Sequence, residues 1–177
     1  MKVRPPLVHR LFYPQVPLVL AAEYRGRISA MPVVSYSSVS DVPPLVAVSC
    51  SPRGFTCKLV LKAREFSLSI LQSNQAGAMS HLARVSGAKV TDKLSEAGLK
   101  HTTGKKLGVP VITGAEASLE CALRSSRNYG DHTMLVGEVE AASASDAFGE
   151  FWDFTKYKPL LYTGWRGGLT TYPGPQA

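Results

Sequence analysis

Residues 17–36 of the chain are PLVLAAEYRGRISAMPVVSY. Residues 17–24 are almost entirely apolar, which is typical of a buried strand, and residues 28–36 form a second extended run. The turn-forming sequence Arg25-Gly26-Arg27 separates them, so the two runs are predicted to pair as a hairpin. Such a short link has no room for the crossover helix that parallel strands need. The stretch therefore favours an antiparallel fold over a parallel α/β fold.

Further strands and several short helices are predicted in the rest of the chain. Further strands are predicted at residues 45–49, 66–71, 115–123, 133–142 and 160–163. Turn-forming residues are concentrated at 37–44 and 125–131. Short helices are predicted at 55–63, 75–85 and 146–157, with one helical turn at 92–97 inside a basic, glycine-containing segment, 86–110. About six strands with a few inserted helices predict a β-rich α+β fold, most simply a Greek-key barrel.

Length and composition set the broad class. The 177 residues suit a single domain, 1–177, with an N-terminal arm at 1–16 and a C-terminal tail at 165–177. With 45% hydrophobic and 19% charged residues, the chain is neither a disordered polymer nor a membrane protein. The apolar run at 16–22 is too short to span a bilayer. We therefore expect a globular protein with no membrane association.

The number and spacing of the cysteines and histidines predict neither a set of disulfides nor a metal site. Three cysteines cannot all pair within one chain, which favours a reducing, cytoplasmic location. Neither their spacing nor that of the four scattered histidines matches a metal site, so no metal is expected. The 20 Lys and Arg residues exceed the 13 Asp and Glu residues by 7. This surplus of positive charge is compatible with an anionic partner: nucleic acid, an acidic surface or a phosphorylated small molecule.

Residues 49–58, SCSPRGFTCK, are a candidate anion site. They lead from a strand through a glycine turn into the start of a helix, where backbone N–H groups favour anions. A phosphate could accept hydrogen bonds from Ser51 and Thr56 and pair with Arg53 and Lys58. The alternative is that Ser51 or Thr56 only caps the helix while Arg53 is solvated.

Two further segments have hydrogen-bonding groups suited to a ligand. Residues 31–40, MPVVSYSSVS, could lie along a flat heterocycle, with Ser35 completing the contacts; the alternative is a strand with a serine-rich outer face. His132, in the sequence Gly130-Asp131-His132-Thr133, could stand at a pocket mouth or be a turn histidine without a role. The chain lacks the motifs of α/β-hydrolases, P-loop proteins and Rossmann folds.

Taken in order, these segments resemble the flavin reductase-like family. These FMN-binding split-barrel proteins include the reductase components of two-component flavin monooxygenases and the flavoredoxins. The resemblance extends from about residue 17 to residue 164. The matching sequences are RISAMPVVSY (27–36), VSDVPPLVAVS (39–49), SPRGFT (51–56) with Lys58, EFSLSI (65–70), Ser86-Gly87 with Asp92-Lys93, Gly114-Ala115, GDHT (130–133) with VGEV (136–139), and PLLY (159–162).

The resemblance implies a homodimer of split β-barrels with one FMN per subunit near the subunit interface. FAD is possible in place of FMN, and the reductant would be NADH or NADPH. His132 would lie beside the ring face where nicotinamide stacks, as the candidate catalytic residue. The implied cofactor-binding residues are Met31, Pro32, Val33, Ser35 and Tyr36 for the isoalloxazine, Ser49, Cys50 and Ser51 for the ribityl chain, Arg53, Thr56 and Lys58 for the phosphate, and Ser86 and Lys93 in addition.

The implied activity is an NAD(P)H:flavin oxidoreductase that keeps FMN or passes reduced flavin to a partner oxygenase. The alternative is a flavoredoxin-type electron-transfer flavoprotein with a protein redox partner. A nucleic-acid-binding role is disfavoured, because Lys and Arg are spread over many segments without interleaved aromatic residues. Many relatives have Trp where this chain has Tyr36 and His where it has Cys57, which leaves the choice of flavin and reductant open.

Overall fold

The protein is described by a computed structural model that covers residues 3–164 and 166–172. Seven strands form one antiparallel sheet: β1 (Leu18–Tyr24), β2 (Arg27–Val33), β3 (Tyr36–Ser40), β4 (Leu45–Cys50), β5 (Glu65–Ile70), β8 (Ala117–Tyr129) and β9 (His132–Ala144). Their order is β2-β1-β5-β8-β9-β4-β3. Two small sheets pair β6 (His101–Thr103) with β7 (Pro110–Ile112) and β10 (Leu160–Tyr162) with β11 (Leu169–Thr171). The helices are α1 (Phe55–Ala63), α2 (Ala76–Arg84) and α3 (Lys93–Glu96), with 3-10 turns at Pro5–Phe12, Ser73–Gln75 and Gly87–Lys89.

The large sheet curls into a split barrel, because its two edge strands are neighbours in the chain. Only Val34 and Ser35 separate β2 from β3, and the Ser49 N–H donates to the Ser35 carbonyl at 2.8 Å. The curled sheet surrounds one apolar core, which α1 also enters. Core residues include Leu20, Val33, Val48, Phe66, Leu68 and Leu135 from the strands and Cys57, Leu59 and Val60 from α1. The predicted β-rich barrel with inserted helices is confirmed.

A second apolar cluster lies on the outer face of β1 and β2. Val19 and Ala21 of β1 pack there against Met79 and Leu82 of α2 and Leu94 of α3. Strand β1 is therefore buried on both faces, which explains why residues 18–22 are apolar without alternation. This arrangement holds α2 and α3 against the barrel near the end of β2.

The predicted helix at 146–157 is wrong. The segment forms turns, in which the Asp153 carboxylate accepts hydrogen bonds from the Thr155 N–H and hydroxyl at 2.9 and 2.6 Å. Such side-chain bonds compete with helical hydrogen bonding. The aromatic residues also fail to share one face, since Phe151 is 82% exposed and Tyr157 is 3% exposed.

Other boundaries differ from the predictions in smaller ways. Strand β3 extends from Tyr36 to Ser40, into the segment predicted as a turn at 37–44, and β8 and β9 extend until Gly130 and Asp131 alone form their turn. The basic segment 86–110 contains α3 and part of the β6–β7 hairpin, while β11 lies in the predicted tail. Residues 1–2 of the predicted arm and residues 165 and 173–177 of the predicted tail lie outside the described residues. Within the described residues, no helix is long and apolar enough to cross a membrane.

Candidate functional site

A cavity of about 460 Å³ lies where several separate segments meet, and we name it the first cavity. The end of β2 contributes Met31 and Pro32, the start of α1 contributes Thr56, and the segment before and within α3 contributes Ser86 and Lys93. All five are among the predicted cofactor-binding residues. Its volume is within the usual range of small-molecule sites.

Close packing joins two walls of the first cavity. The hydroxyls of Ser29 and Thr56 are 2.8 Å apart, and Thr56 is buried. A Cβ atom on Gly87 would lie 2.0 Å from Ser29 Oγ, so only glycine allows the 86–87 backbone to approach β2 this closely. The position of Ser86 at the cavity therefore depends on Gly87 and Ser29.

Arg27 secures the same wall from outside. Its Nη2 donates to the carbonyl oxygens of Gly87, Ala88 and Val90 at 3.0, 3.1 and 3.0 Å. Its guanidinium carbon also lies 4.7 Å from the centroid of the Phe55 ring, a cation–π distance. The sequence placed Arg27 in a turn and in the family-matching stretch 27–36 without giving it a role, so this positioning role is visible in the structure alone.

Lys93 places a buried ammonium group beside the first cavity. The residue is 3% exposed, and its Nζ donates to the Ala30 carbonyl at 2.6 Å. Burial lowers the pKa of Lys93, and the carboxylate of Glu96 partly opposes that shift. The carbonyl of Ala30 lies on an edge strand, so Lys93 also satisfies a backbone group that no neighbouring strand reaches.

The first turn of α1 has no side-chain cap. Gly54 is the N-cap residue, no side chain hydrogen-bonds the cap, and the turn contains no acidic residue. Ser51 Oγ instead accepts a long 3.4 Å bond from the Arg53 N–H, and the Thr56 hydroxyl is paired with Ser29. The capping alternative for Ser51 and Thr56 is therefore wrong. The helix start keeps its electropositive N–H groups available for an anion.

Arg53, Lys58 and His132 lie near this helix start, outside the lining of the first cavity. The charges of His132 and Lys58 both act on the Cys57 thiol, and the charge of Arg53 acts on Asp131. His132 Nδ1 lies 2.7 Å from Asp131 Oδ1, and this hydrogen bond and the imidazole charge lower the pKa of Asp131. The tip of the β8–β9 hairpin thus approaches the beginning of α1.

Cys57 and Cys50 are buried next to these residues. A hydrogen bond from Cys50 lowers the pKa of the Cys57 thiol, burial opposes this, and the charges of His132 and Lys58 lower it further. The same contact raises the pKa of Cys50. The two buried thiols therefore lie next to each other at the start of α1.

The remaining predicted residues are not all brought to the first cavity. The side chains of Val33 and Cys50 are buried in the barrel core, and the Ser35 carbonyl is bonded to the Ser49 N–H. Tyr36 donates its hydroxyl proton to the Val16 carbonyl at 2.7 Å. Tyr36 also lines a different cavity of about 530 Å³ at the end of the barrel, which we name the barrel-mouth cavity.

A family model described as the flavin reductase like domain matches residues 9–168. The chain belongs to this family.

Named relatives and a solved structure agree with that assignment. An FMN reductase (NADH) of Agrobacterium fabrum is 32% identical over 145 residues, covering 77% of this chain and 78% of the relative. The crystal structure of an FMN-binding protein from Thermus thermophilus is 31% identical, with a TM-score of 0.86 and coverage of 100% of this chain and 97% of that one. A flavin reductase of Pseudomonas putida is 34% identical over 121 residues, covering 68% of this chain and 67% of the relative.

One relative without an assigned role is longer than this flavin reductase family member. An uncharacterized protein of Aeropyrum pernix is 34% identical over 169 residues, which cover 95% of this chain but 63% of that protein. The chain therefore spans less than two thirds of the length of that relative.

The first cavity also includes residues that sequence reasoning did not find in this flavin reductase family member. Tyr13, before β1, and Tyr162, in β10, line it with their rings 5.0 Å apart in an edge arrangement. Leu169 of β11 lies beside them. No binding role was assigned to these positions from the sequence, because they come from opposite ends of the chain, although Tyr162 is part of the family-matching PLLY (159–162). Among the described residues, no group of three His, Cys, Asp or Glu side chains could hold a metal.

Proposed function

We propose that this protein is an NADH-dependent flavin reductase that binds FMN along the first cavity and the start of α1. The observation that carries the proposal is the uncapped first turn of α1, which adjoins the first cavity and lies near Arg53 and Lys58. A phosphate monoester is suited to this place, because free N–H groups and two cations both favour it. The similarity to a named FMN reductase supports the choice of flavin.

The residues around the first cavity and the start of α1 fit both the charged phosphate and the apolar ring of FMN. Exposed Arg53 and Lys58 near the helix start suit the phosphate. Met31 and Pro32 offer an apolar wall for a flat ring, and the Lys93 ammonium group is bonded to the carbonyl of the adjacent residue, Ala30. A buried cation also favours the negative charge that reduced flavin carries.

The residues of the chain would bind and orient rather than transfer protons. Bound FMN would supply the hydride-accepting chemistry, so the residues of the chain would need to provide neither a nucleophile nor a general base. Ser29, Thr56 and Gly87 hold two walls of the cavity together, and Arg27 anchors the 86–90 segment. His132 stands outside the cavity lining, at the hairpin tip, where its ring is available to a second ligand.

The phosphate assignment predicts the effect of Arg53→Ala. This change should weaken FMN binding about ten- to a hundredfold, because it removes one charge-assisted pair. Riboflavin, which lacks the phosphate, should bind the variant and the unchanged protein equally. Titration of flavin fluorescence measures both affinities. Lys62→Ala is the matched control, since Lys62 is an exposed cation in the last turn of the same helix.

Two results would contradict this assignment. An unchanged FMN affinity in Arg53→Ala would remove Arg53 from the phosphate site. Equal weakening of FMN and riboflavin would show that Arg53 acts through the fold rather than through the phosphate. Anaerobic mixing with NADH and then NADPH tests the reaction itself: failure of both to bleach the bound flavin would refute the reductase and favour an electron-transfer flavoprotein.

The proposal extends to the assembly and the electron acceptor. It includes a single domain over residues 1–177, a homodimer, NADPH as a second possible reductant, and an oxygenase or another redox protein as the acceptor. The support for these points is the resemblance over residues 17–164 and the similarity to named flavin reductases.

A further inference from the structure

Two of the three cysteines lie in contact with each other. Cys50 ends β4, Cys57 lies in the first turn of α1, and both belong to the apolar core of the barrel. The Cys50 thiol donates a hydrogen bond to the Cys57 sulfur. Thr133 of β9 is the register partner of Cys50, and its hydroxyl also contacts Cys57. Strands β4 and β9 and the start of α1 therefore hold the two sulfurs side by side.

The third cysteine has different electrostatic surroundings. The hydrogen bond from Cys50 and the charges of His132 and Lys58 lower the pKa of Cys57 to about 7, although burial opposes them. Burial is the main cause that raises the pKa of Cys121 to about 12. The thiolate is the reactive form of cysteine. Cys57 is therefore suited to attack an electrophile at neutral pH, whereas Cys121 is not.

Both sulfurs of the pair are buried, so an oxidant reaches them only when the structure opens locally. Cys50 is 2% exposed and Cys57 is 0% exposed. The first turn of α1 has no side-chain cap, and the loop before it, residues 51–54, is partly exposed. Helix ends that lack capping bonds open more easily than helix interiors. The start of α1 is thus the place where a small oxidant can enter.

We propose that Cys50 and Cys57 form a reversible intramolecular disulfide when a peroxide oxidises the protein. The Cys57 thiolate attacks one oxygen of hydrogen peroxide: an S–O bond forms, the O–O bond breaks, and the departing hydroxide takes up a proton to give water. The Cys50 sulfur then attacks the Cys57 sulfenic acid, which forms the S–S bond, breaks the S–O bond and releases a second water. Two thiols are oxidised, and one peroxide is reduced to two waters.

The disulfide acts on the start of α1. A disulfide draws its sulfurs to about 2.05 Å, closer than two hydrogen-bonded thiols lie. Residues 51–56 connect the two cysteines and must adjust to this approach, and they include Arg53 and Thr56. We expect the oxidised protein to bind FMN more weakly by roughly threefold or more. This consequence rests on the proposed function, whereas formation of the disulfide does not.

Tryptic mapping of the full chain tests the disulfide directly. Trypsin cleaves after Arg53, so Cys50 and Cys57 fall in separate peptides, 28–53 and 54–58, while Cys121 falls in 107–124. After treatment with hydrogen peroxide, peptides 28–53 and 54–58 should be joined, with a mass lower than their sum by two hydrogen atoms. Dithiothreitol should separate them. The rate should rise as the pH passes through the lowered pKa of Cys57, about 7, and should level off above it.

Three variants separate this pair from unspecific oxidation. In Cys50→Ser, Cys57 should stop at the sulfenic acid, which dimedone captures, and in Cys57→Ser no linked peptides should form. Cys121→Ser, which removes a buried cysteine outside the pair, is the matched control and should form the link at the unchanged rate.

The peptide map of the unchanged protein decides the proposal even if a variant fails to fold. The proposal is overturned if peptides 28–53 and 54–58 stay separate, if they join only in urea, or if Cys121 is oxidised as fast as Cys57. A disulfide that leaves FMN affinity unchanged would overturn the coupling to α1. If the reduced protein binds no FMN, the proposed function fails, while the peptide map still decides the disulfide.

Discussion

Arg27→Lys is the change that most directly tests how the fold positions the proposed flavin site. The substitution keeps the positive charge but removes the planar guanidinium. Because the lysine chain is shorter, its ammonium group ends short of the Nη2 position, from which Arg27 now reaches the carbonyls of Gly87, Ala88 and Val90. The variant therefore separates the effect of geometry from the effect of charge.

The expected magnitude follows from these contacts. The two protons of Nη2 are shared by three carbonyl oxygens at 3.0–3.1 Å, which corresponds to about two charge-assisted bonds. Each such bond contributes roughly 1.5–3 kcal/mol when protected, and less here because one of the three is exposed. Loss of the stacking on Phe55 adds roughly 0.5–1 kcal/mol. We expect the free energy of unfolding to fall by about 2–4 kcal/mol.

Two assays measure the consequence. Urea unfolding of the flavin-free protein gives the change in stability, and flavin titration gives the change in FMN affinity. FMN affinity should fall about tenfold, because the 86–90 segment loses its anchor and Ser86 lines the first cavity. Arg25→Lys is the matched control, since Arg25 lies in the same turn and its guanidinium is 5.3 Å from the Tyr24 ring. A stability within about 0.5 kcal/mol of that control would refute the anchoring role.

Two other predictions concern a buried carboxylate and the candidate catalytic histidine. Glu120 is 6% exposed and accepts backbone N–H bonds from Lys105, Lys106 and Leu107 at 2.8, 2.9 and 2.8 Å. Burial raises the pKa of Glu120, but these donors together lower it below its usual value. The stability that ionised Glu120 contributes to the folded protein is thus fully present above its usual pKa of about 4.3. It is lost as the pH falls through the lower pKa of Glu120 in the folded protein. Glu120→Gln should lower the free energy of unfolding by about 2–4 kcal/mol at pH 7 and by much less at pH 2. Urea unfolding at both pH values, with exposed Glu150→Gln as control, checks this; a pH-independent difference would contradict it. His132→Ala should slow anaerobic flavin reduction by NADH more than it weakens FMN binding, measured by stopped-flow absorbance with Asp131→Asn as the comparison. The reverse result would place His132 on the flavin side.

The sequence predicted the fold correctly where the conformation of a segment depends mainly on its neighbouring residues. Arg25-Gly26-Arg27 predicted the hairpin, and Arg25 and Gly26 adopt positive φ there. The Ser51-Pro52-Arg53-Gly54 break correctly predicted the start of α1 at Phe55. The prediction failed at 146–157, because hydrophobic periodicity suggested a helix whereas Asp153 stabilised turns instead.

The sequence by itself determined the antiparallel barrel, its family and the segments that form the candidate site. Turn residues and alternating apolar positions act over a few residues, and the family's sequences are recognisable in order along the chain. Only the tertiary structure decided how the site is built. Arg27 anchors carbonyls about 60 residues away, Lys93 reaches the carbonyl of Ala30, and Tyr13 meets Tyr162. Such contacts depend on how the curled sheet brings distant segments together, so no local pattern predicts them.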